Sequence, residues 1–293
     1  MSRRTSGVLL IIVSAISFGV MPILARFASA AGDELFTLLF LRFGCATLIM
    51  FGLCWITGTP LPRGRSLLSA IGLGAVLYVG QSLCYFLALT LAPTSLVALL
   101  LYLYPGLVAI GASVFFHERF TAAKGIALAL AVLGAVLMIG FGAGGSVLGV
   151  AFGVSASVIY SVYILLSSRL MRGVAPIAAS TVVIASTALA YAVIAFARGP
   201  VMPTTAAGWM LIVALAVVST VVAIGTFFAG LARLGPVGTS TLSSLEPATA
   251  VALAVVLLGE PMTPLKVIGA LLILAGVILI ARTGESQAAP AVP

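Results

Sequence analysis

Read for its apolar and polar positions, the chain is a series of long hydrophobic runs cut by short clusters of glycine, proline and charge. These breaks define ten segments, 7-28, 35-57, 67-91, 94-116, 122-140, 147-169, 175-197, 206-232, 236-258 and 264-282. A bilayer-spanning helix needs about 20 apolar residues, so the pattern predicts ten transmembrane helices with short connections and no sizeable extramembrane domain. Thr263 followed by Pro264 supplies an N-cap and a first-turn proline for the tenth helix. Thr121 is placed likewise for the fifth.

Composition removes the alternatives. The 293 residues are 62 % hydrophobic and 7 % charged, with a mean hydropathy of +1.32, whereas soluble domains carry about a quarter charged residues. A water-soluble surface, disorder, collagen-like repeats and a disulfide scaffold are all excluded. Cys45, Cys54 and Cys84 lie in apolar segments without a metal-ligand spacing and read as packing residues. The net charge of +8 sits in short loops, where basic residues set topology and do not indicate nucleic acid. With a cytoplasmic N-terminus, the cytoplasmic connections carry Arg3, Arg4, Arg63, Arg65, Arg119, Lys124, Arg169, Arg172, Arg233 and Arg282, and the opposite side keeps Arg26, Arg198 and Lys266. That asymmetry places both termini in the cytoplasm. The start of the chain resembles a cleavable leader, but its apolar run, Val8 to Leu24, is long for a signal core, and it reads as a retained first helix.

An internal repeat sharpens the architecture. A shift of 142 residues superposes Gly7-Val8 on Gly149-Val150, Pro105 on Pro247, Glu118 on Glu260, Thr121 on Thr263, Lys124 on Lys266 and Gly134 on Gly276. Five helices per half is an odd number, so the second half enters the membrane from the opposite side. The expectation is an all-α membrane protein built as a 5+5 inverted-topology repeat, with halves 1-142 and 143-282 and a disordered cytoplasmic tail at 283-293, and with a substrate site near the midplane.

The stretches Tyr104-Pro105-Gly106 with Phe116-His117-Glu118-Arg119-Phe120-Thr121, and Leu245-Glu246-Pro247-Ala248 with Leu258-Gly259-Glu260-Pro261-Met262-Thr263, resemble the paired EamA repeats of the drug/metabolite transporter superfamily. Leu41-Arg42-Phe43 fits the same pattern. Within that superfamily the chain is most similar to YddG-type amino-acid exporters of bacterial inner membranes. The resemblance implies a ten-helix basket that exports aromatic and other amino acids without a cofactor. Cationic drugs or another metabolite are the alternative cargo.

Polar residues within spans mark the helices that face water or one another. The fifth span (Gly125 to Gly140) and the tenth (Val267 to Ala281) contain none, which assigns them to scaffold or dimer contacts and leaves both a monomer and a homodimer open. The other eight form the expected cavity wall. Helical spacing groups Tyr78, Gln81, Ser82 and Tyr85 on the third; Ser95, Tyr102 and Gly106 on the fourth; Ser157, Tyr160 and Ser167, with Tyr163 adjoining, on the sixth; and Ser240, Ser243 and Pro247 on the ninth. Ser14, Ser17 and Met21 on the first and Ser219 and Thr226 on the eighth complete the set. Taken singly, each hydroxyl is more often a helix-packing or back-bonding residue than a ligand; together they favour a cavity. A tyrosine-rich, mostly uncharged wall suits a small solute with a ring and hydrogen-bonding ends, and Tyr78, near mid-span, is its leading aromatic. Trp55 and Trp209 read as bilayer-edge residues, and Tyr104 and Tyr191 as lipid-facing.

Two charges fall deep in spans, Arg42 and Glu246. Either they form an ion pair that pins the second helix to the ninth, or Glu246 binds a proton or ammonium while Arg42 holds a carboxylate. Glu118 and Glu260 end helices and read as anchors, and Arg26 as a residue that snorkels to the surface. Pro105 and Pro247 read as mid-span kinks, serving either as hinges for alternating access or as static bends. An enzyme is disfavoured: His117 is the sole histidine and Asp33 the sole aspartate, with no nucleophile elbow. No phosphate-binding loop for ATP is present, so the expected power source is a gradient. A channel would need a selectivity element that the chain does not show.

Overall fold

The computed structural model describes residues 3–116, 122–139, 146–171, 173–227, 229–230, 233, 242–243 and 245–285. Among these the chain is helical and contains no strand. The helices are α1 (Arg3–Ala30), α2 (Leu35–Ile56), α3 (Arg65–Leu91), α4 (Thr94–Leu101), α5 (Tyr104–Phe116), α6 (Ala122–Ile139), α7 (Val147–Leu170), α8 (Pro176–Arg198), α9 (Ala206–Phe227), α10 (Leu245–Leu258) and α11 (Pro264–Glu285). Seven helical runs are long and apolar enough to cross a membrane: α1, α2, α3, α4 with α5, α7, α8 and α9. Shorter apolar stretches lie in α6, α10 and α11.

Local chemistry sets several boundaries. The Glu34 carboxylate accepts from the Thr37 N–H (2.7 Å) and caps α2. Ser146 and Thr205 do the same for α7 and α9 through the Gly149 and Gly208 N–H groups. Pro176 opens α8 and Pro264 opens α11, where a missing N–H has no consequence. Two helices depart from α geometry at one place each: α3 is π-helical at Leu73–Tyr78 and α9 at Val217–Val222. They are the third helix of each sequence repeat. The N-terminal-most part of the expected tail, through Glu285, is helical within α11; residues 286–293 lie outside the described part.

Packing reproduces the repeat. Helix α1 packs on α10 and α9, and α7 packs on α4, α5 and α3; α2 meets α9, and α8 meets α3. Exchanging the halves turns each of these pairs into another. Two pairs, α2 with α8 and α6 with α11, map onto themselves. In the first, Phe43 stacks on Tyr191 with centroids 5.7 Å apart. In the second, backbone meets backbone: a Cβ added at Gly134 would stand 2.5 Å from the Gly269 carbonyl oxygen. The two spans without polar residues therefore pack on each other.

Hydrogen bonds sort the helix ends into two faces. At one, Arg26 donates to the Ala92 carbonyl (3.1 Å) and to Thr94 Oγ1 (3.3 Å), Ser146 N–H to the Leu91 carbonyl (3.1 Å), and Val201 N–H to Thr37 Oγ1 (3.2 Å). Arg26 is thus engaged with the α3–α4 turn and does not reach freely for solvent, because carbonyls freed at the end of α3 offer it nearer partners. At the other face, Arg169 donates to the Phe115 carbonyl (3.2 Å), and Cys54 bonds Thr181 (3.2 Å).

The expected mid-span kinks resolve differently. Tyr102 and Leu103 form a turn between α4 and α5, with N–H groups bonded three residues back to Leu99 and Leu100. Pro105 is the second residue of α5 and Pro247 the third of α10. Pro105 stands in the first turn of its helix segment, because a proline ring is tolerated there and obstructs a continuing helix on its N-terminal side; ahead of Pro247, residues 242–243 are helical as well and residue 244 lies outside the described part. His117, Glu118, Arg119, Thr121, Arg172 and Ser240 lie outside the described residues, as do the side chains of Arg3, Arg4, Pro105, Lys124, Lys266 and Arg282.

Candidate functional site

The helices enclose a cavity of about 520 Å³. Its wall takes residues from α1, α2, α3, α4, α5, α7, α8, α9 and α10, with Ser243 just ahead of α10, and none from α6 or α11. The cavity reaches the α7–α8 connection, where Met171, Val174 and Pro176 line it. Thr94, Arg26 and Glu260, at the opposite face, are not among its lining residues.

Arg42 is placed by α2 and is 2 % exposed. Its Nε donates to Thr220 Oγ1 (3.1 Å), while Nη2 lies 3.1 Å from Met21 Sδ and 3.5 Å from the Ser219 carbonyl oxygen. These partners are available because α9 is π-helical there; Thr220 Oγ1 itself donates to the Leu215 carbonyl five residues back (3.0 Å). The guanidinium lies over the rings of Phe43 (4.9 Å) and Phe86 (5.3 Å), a favourable placement for a cation. Among the described residues no carboxylate pairs with it. The expected ion pair with Glu246 is not formed. Both side chains instead line the same cavity, and the Tyr102 hydroxyl, which also approaches the Ser243 carbonyl (3.5 Å), hydrogen-bonds Glu246. A neutral tyrosine and a set of neutral acceptors hold the two charges, so each remains available to a solute.

An aromatic wall runs between them. Phe43 meets Tyr78 (centroids 5.8 Å), Tyr78 meets Tyr163 (5.5 Å), Tyr163 stacks with Tyr160 (6.0 Å), Tyr160 meets Tyr104 edge-on (4.9 Å), and Tyr104 meets Tyr102 (5.8 Å). The sequence of contacts starts beside Arg42 and ends beside Glu246. From Phe43 to Tyr104 its members line the cavity and offer π faces and hydroxyls to a ring-bearing solute.

Of the residues singled out from the sequence, Met21, Arg42, Tyr78, Gln81, Ser82, Tyr85, Tyr160, Tyr163, Ser167, Ser243 and Glu246 line the cavity. Ser17 does not; its carbonyl accepts from Ser219 Oγ (3.0 Å) at the α1–α9 contact. Tyr102 stands behind the wall, 3 % exposed, with its hydroxyl turned to Glu246. Tyr104 takes its place: the turn at Tyr102–Leu103 shifts the helical phase, so the residue expected to face lipid faces the cavity. Tyr191 is also not lipid-facing. It is fully buried, bonds Ser82 Oγ (2.7 Å) and donates to the Val79 carbonyl (3.0 Å).

Most other in-span hydroxyls serve packing: Ser14 donates to the Ala223 carbonyl (2.8 Å), Ser157 to Val154 (2.8 Å) and Thr226 to Val222 (2.7 Å). Phe18, Phe86, Phe227 and Ser180 line the cavity but carry no sequence signal that separates them from ordinary core residues. Trp55, 86 % exposed, and Trp209, 42 % exposed, lie at helix ends as expected.

Long apolar helices around a cavity with an aromatic wall and two charges that form no ion pair among the described residues define a multi-pass membrane transporter for a small molecule. The particular family follows from direct comparison: residues 5–140 and 147–282 each match the EamA-like transporter family, and the chain belongs to it. Two curated relatives, the pseudopaline exporter CntI of two strains of Pseudomonas aeruginosa, are 31 % identical over 135 residues, 46 % of this chain and 46 % of each relative. The match thus spans about half the length of those relatives. A crystal structure superposes on 98 % of this chain and 100 % of its own with a TM-score of 0.70 at 22 % identity, which shows a shared fold.

Proposed function

We propose that this protein is a secondary transporter of a bacterial inner membrane that exports small zwitterionic amphiphiles, aromatic and other amino acids foremost, by alternating access. The observation that carries the reading is the pair of unpaired charges: Arg42 and Glu246 line one cavity, each is held by neutral groups, and an aromatic wall joins them. A carboxylate would take the fork of Arg42, an ammonium the carboxylate of Glu246, and a ring the tyrosines between. An uncompensated cation in a membrane span is costly, and a substrate carboxylate compensates it.

The transport cycle rests on a ten-helix, 5+5 inverted repeat with both termini in the cytoplasm. The half-exchanging helix contacts and the basic loops support that arrangement. The cavity mouth at Met171–Pro176 is then cytoplasmic, the side from which an exporter loads. The turn ahead of Pro105 and, by the repeat, the proline position Pro247 are the hinges. Ser17 supports the α1–α9 contact, and Tyr102 orients Glu246. The name of the curated relatives favours a second cargo reading, a metabolite other than an amino acid, in the same site.

Counterflow in liposomes containing the purified protein tests this, across amino acids with and without a pH gradient. Exchange of aromatic amino acids is expected, and Glu246→Gln should remove any dependence on the pH gradient while leaving exchange. Failure of every amino acid to exchange overturns the cargo assignment. Single-channel currents would overturn alternating access.

A further inference from the structure

We infer that Glu260 is the positioning residue that latches the cavity shut at the Thr94 face, and that its release opens the cavity to that side; the inference rests on the alternating-access reading above. Glu260 follows α10 in the second half of the chain. Its carboxylate reaches across to the start of α4 in the first half, accepting from the Thr94 N–H (2.5 Å), the Ser95 N–H (3.1 Å) and Ser95 Oγ (2.6 Å). A helix N-terminus presents unsatisfied N–H groups and a partial positive charge, so a carboxylate there makes charge-assisted bonds about twice as strong as neutral ones. Arg26 of α1 grips the same turn from the other side, through Thr94 Oγ1 and the Ala92 carbonyl. Ser146, which caps α7, closes on the Leu91 carbonyl. Helices α1, α3, α4 and α7 and the α10–α11 connection are thereby tied into one plug.

The plug is where the two halves of the chain meet, and the cavity lies directly below it, since Leu101 at the far end of α4 is in the wall. Thr94 and Ser95 are 0 % and 1 % exposed. For a solute to leave on this side, α4 must move away from the α10–α11 connection, and the three bonds to Glu260 oppose this. Two of them join backbone N–H groups and one the Ser95 hydroxyl to the Glu260 side chain, so they break without unravelling either helix. The opposite face, by contrast, already admits the cavity at Met171–Pro176.

Sided labelling tests the latch. In a protein with Cys45, Cys54 and Cys84 replaced by alanine and Ser243→Cys as the cavity reporter, a membrane-impermeant maleimide is applied from either side of oriented vesicles. The parent is expected to label from the Met171 side. Glu260→Gln, which leaves at least one of the three donors without its acceptor and removes the charge, is expected to raise labelling from the Thr94 side on the order of tenfold, with Ser95→Ala giving a smaller rise in the same direction. A purely structural cap would lower Tm and leave sidedness alone; unchanged sidedness in a folded Glu260→Gln protein that still performs counterflow overturns the latch and leaves the transporter reading intact. Should the variant not fold, Ser95→Cys with Glu260→Cys, bridged by a short reducible bifunctional thiol reagent, is expected to stop counterflow until reductant is added. Counterflow that continues through the bridged protein overturns the latch equally.

Discussion

Replacing Arg42 by methionine separates a structural arginine from a substrate-binding one. The substitution removes one well-formed bond, to Thr220 at 3.1 Å, worth about 1.5–3 kcal/mol for a charged donor. The Ser219 contact at 3.5 Å is at the limit of hydrogen bonding and adds little. The two ring contacts, at 4.9 Å and 5.3 Å, contribute about 0.5–2 kcal/mol each. Taking mid-range values, about 5 kcal/mol of favourable interaction disappears. Against this stands the penalty of a guanidinium deep in a span, about 3 kcal/mol on insertion scales, together with the packing that a methionine side chain regains. Arg42→Met is therefore expected to unfold within about 2 kcal/mol of the parent. Transport should behave otherwise, because losing the partner of a desolvated carboxylate costs about 2–5 kcal/mol, a drop of at least about thirtyfold in counterflow. Thermal unfolding in detergent and liposome counterflow measure the two quantities on one preparation. Retained counterflow would refute the binding role, and so would a destabilisation of about 3–5 kcal/mol, the signature of a broken structural pair.

Further substitutions probe packing and the loops. Gly74→Ala places a Cβ 2.1 Å from Ser186 Oγ and 2.3 Å from the Val183 carbonyl oxygen; the backbone oxygen cannot yield, so α3 and α8 must part. The Thr187 hydroxyl bond to the Gly74 carbonyl, now 3.0 Å, weakens with them, for a loss of about 1–3 kcal/mol. Gly44→Ala, with nothing within 4 Å, should be neutral or stabilising, and equal melting of the two variants would contradict the packing described. In the α1–α2 loop, Asp33 Oδ2 is buried without a hydrogen-bond partner, and burial raises the carboxyl above its ordinary range. A raised value in the folded protein favours the protonated form, so the Asp33 contribution is fully present below the unfolded pKa, near about 4, and is lost as pH rises through the folded one. Asp33→Asn should accordingly raise Tm at neutral pH, with an advantage that fades toward pH 4; an advantage that grows on acidification would reverse the sign argument.

The family and the helical class were legible in the sequence because they rest on long-range regularities: apolar runs, basic loops and a repeat whose offset holds from Gly7 to Gly134. The wall was legible where a face lies on an uninterrupted α segment, as for Tyr78, Gln81 and Tyr85. It was misread where the helix changes phase. Tyr102 and Tyr104 exchange roles because a two-residue turn separates α4 from α5, and no residue type at that turn announces its geometry. Tyr191 was misplaced for a different reason: an aromatic near mid-span has the same composition signal whether its hydroxyl meets lipid headgroups or, as here, Ser82 and a carbonyl on α3. Arg42 and Glu246 were found by their rarity, but that they stand apart depends on the tertiary placement of α2 relative to α10, which no local pattern encodes.

The two π-helical stretches have a consequence for length variation. A π turn accommodates one residue more than an α turn, so shortening Leu73–Tyr78 by one residue would let α3 close into regular α-helix without lifting it off α8. Because the bulge absorbs that residue locally, Gln81 and Tyr85 beyond it would keep their face toward the solute, whereas a one-residue deletion in plain α-helix would rotate everything beyond it by about 100°. The same deletion in Val217–Val222 would withdraw the oxygens that Arg42 grips. A single-codon deletion in Leu73–Tyr78 is therefore expected to leave an inserted protein whose cavity wall keeps its register, and one in Val217–Val222 an inserted protein that no longer holds Arg42, whereas deletions one turn away in plain α-helix turn the cavity faces out of place. In a chain descended from two copies of one unit, the spare residue in each copy is a mark of common origin that helix length alone would not reveal.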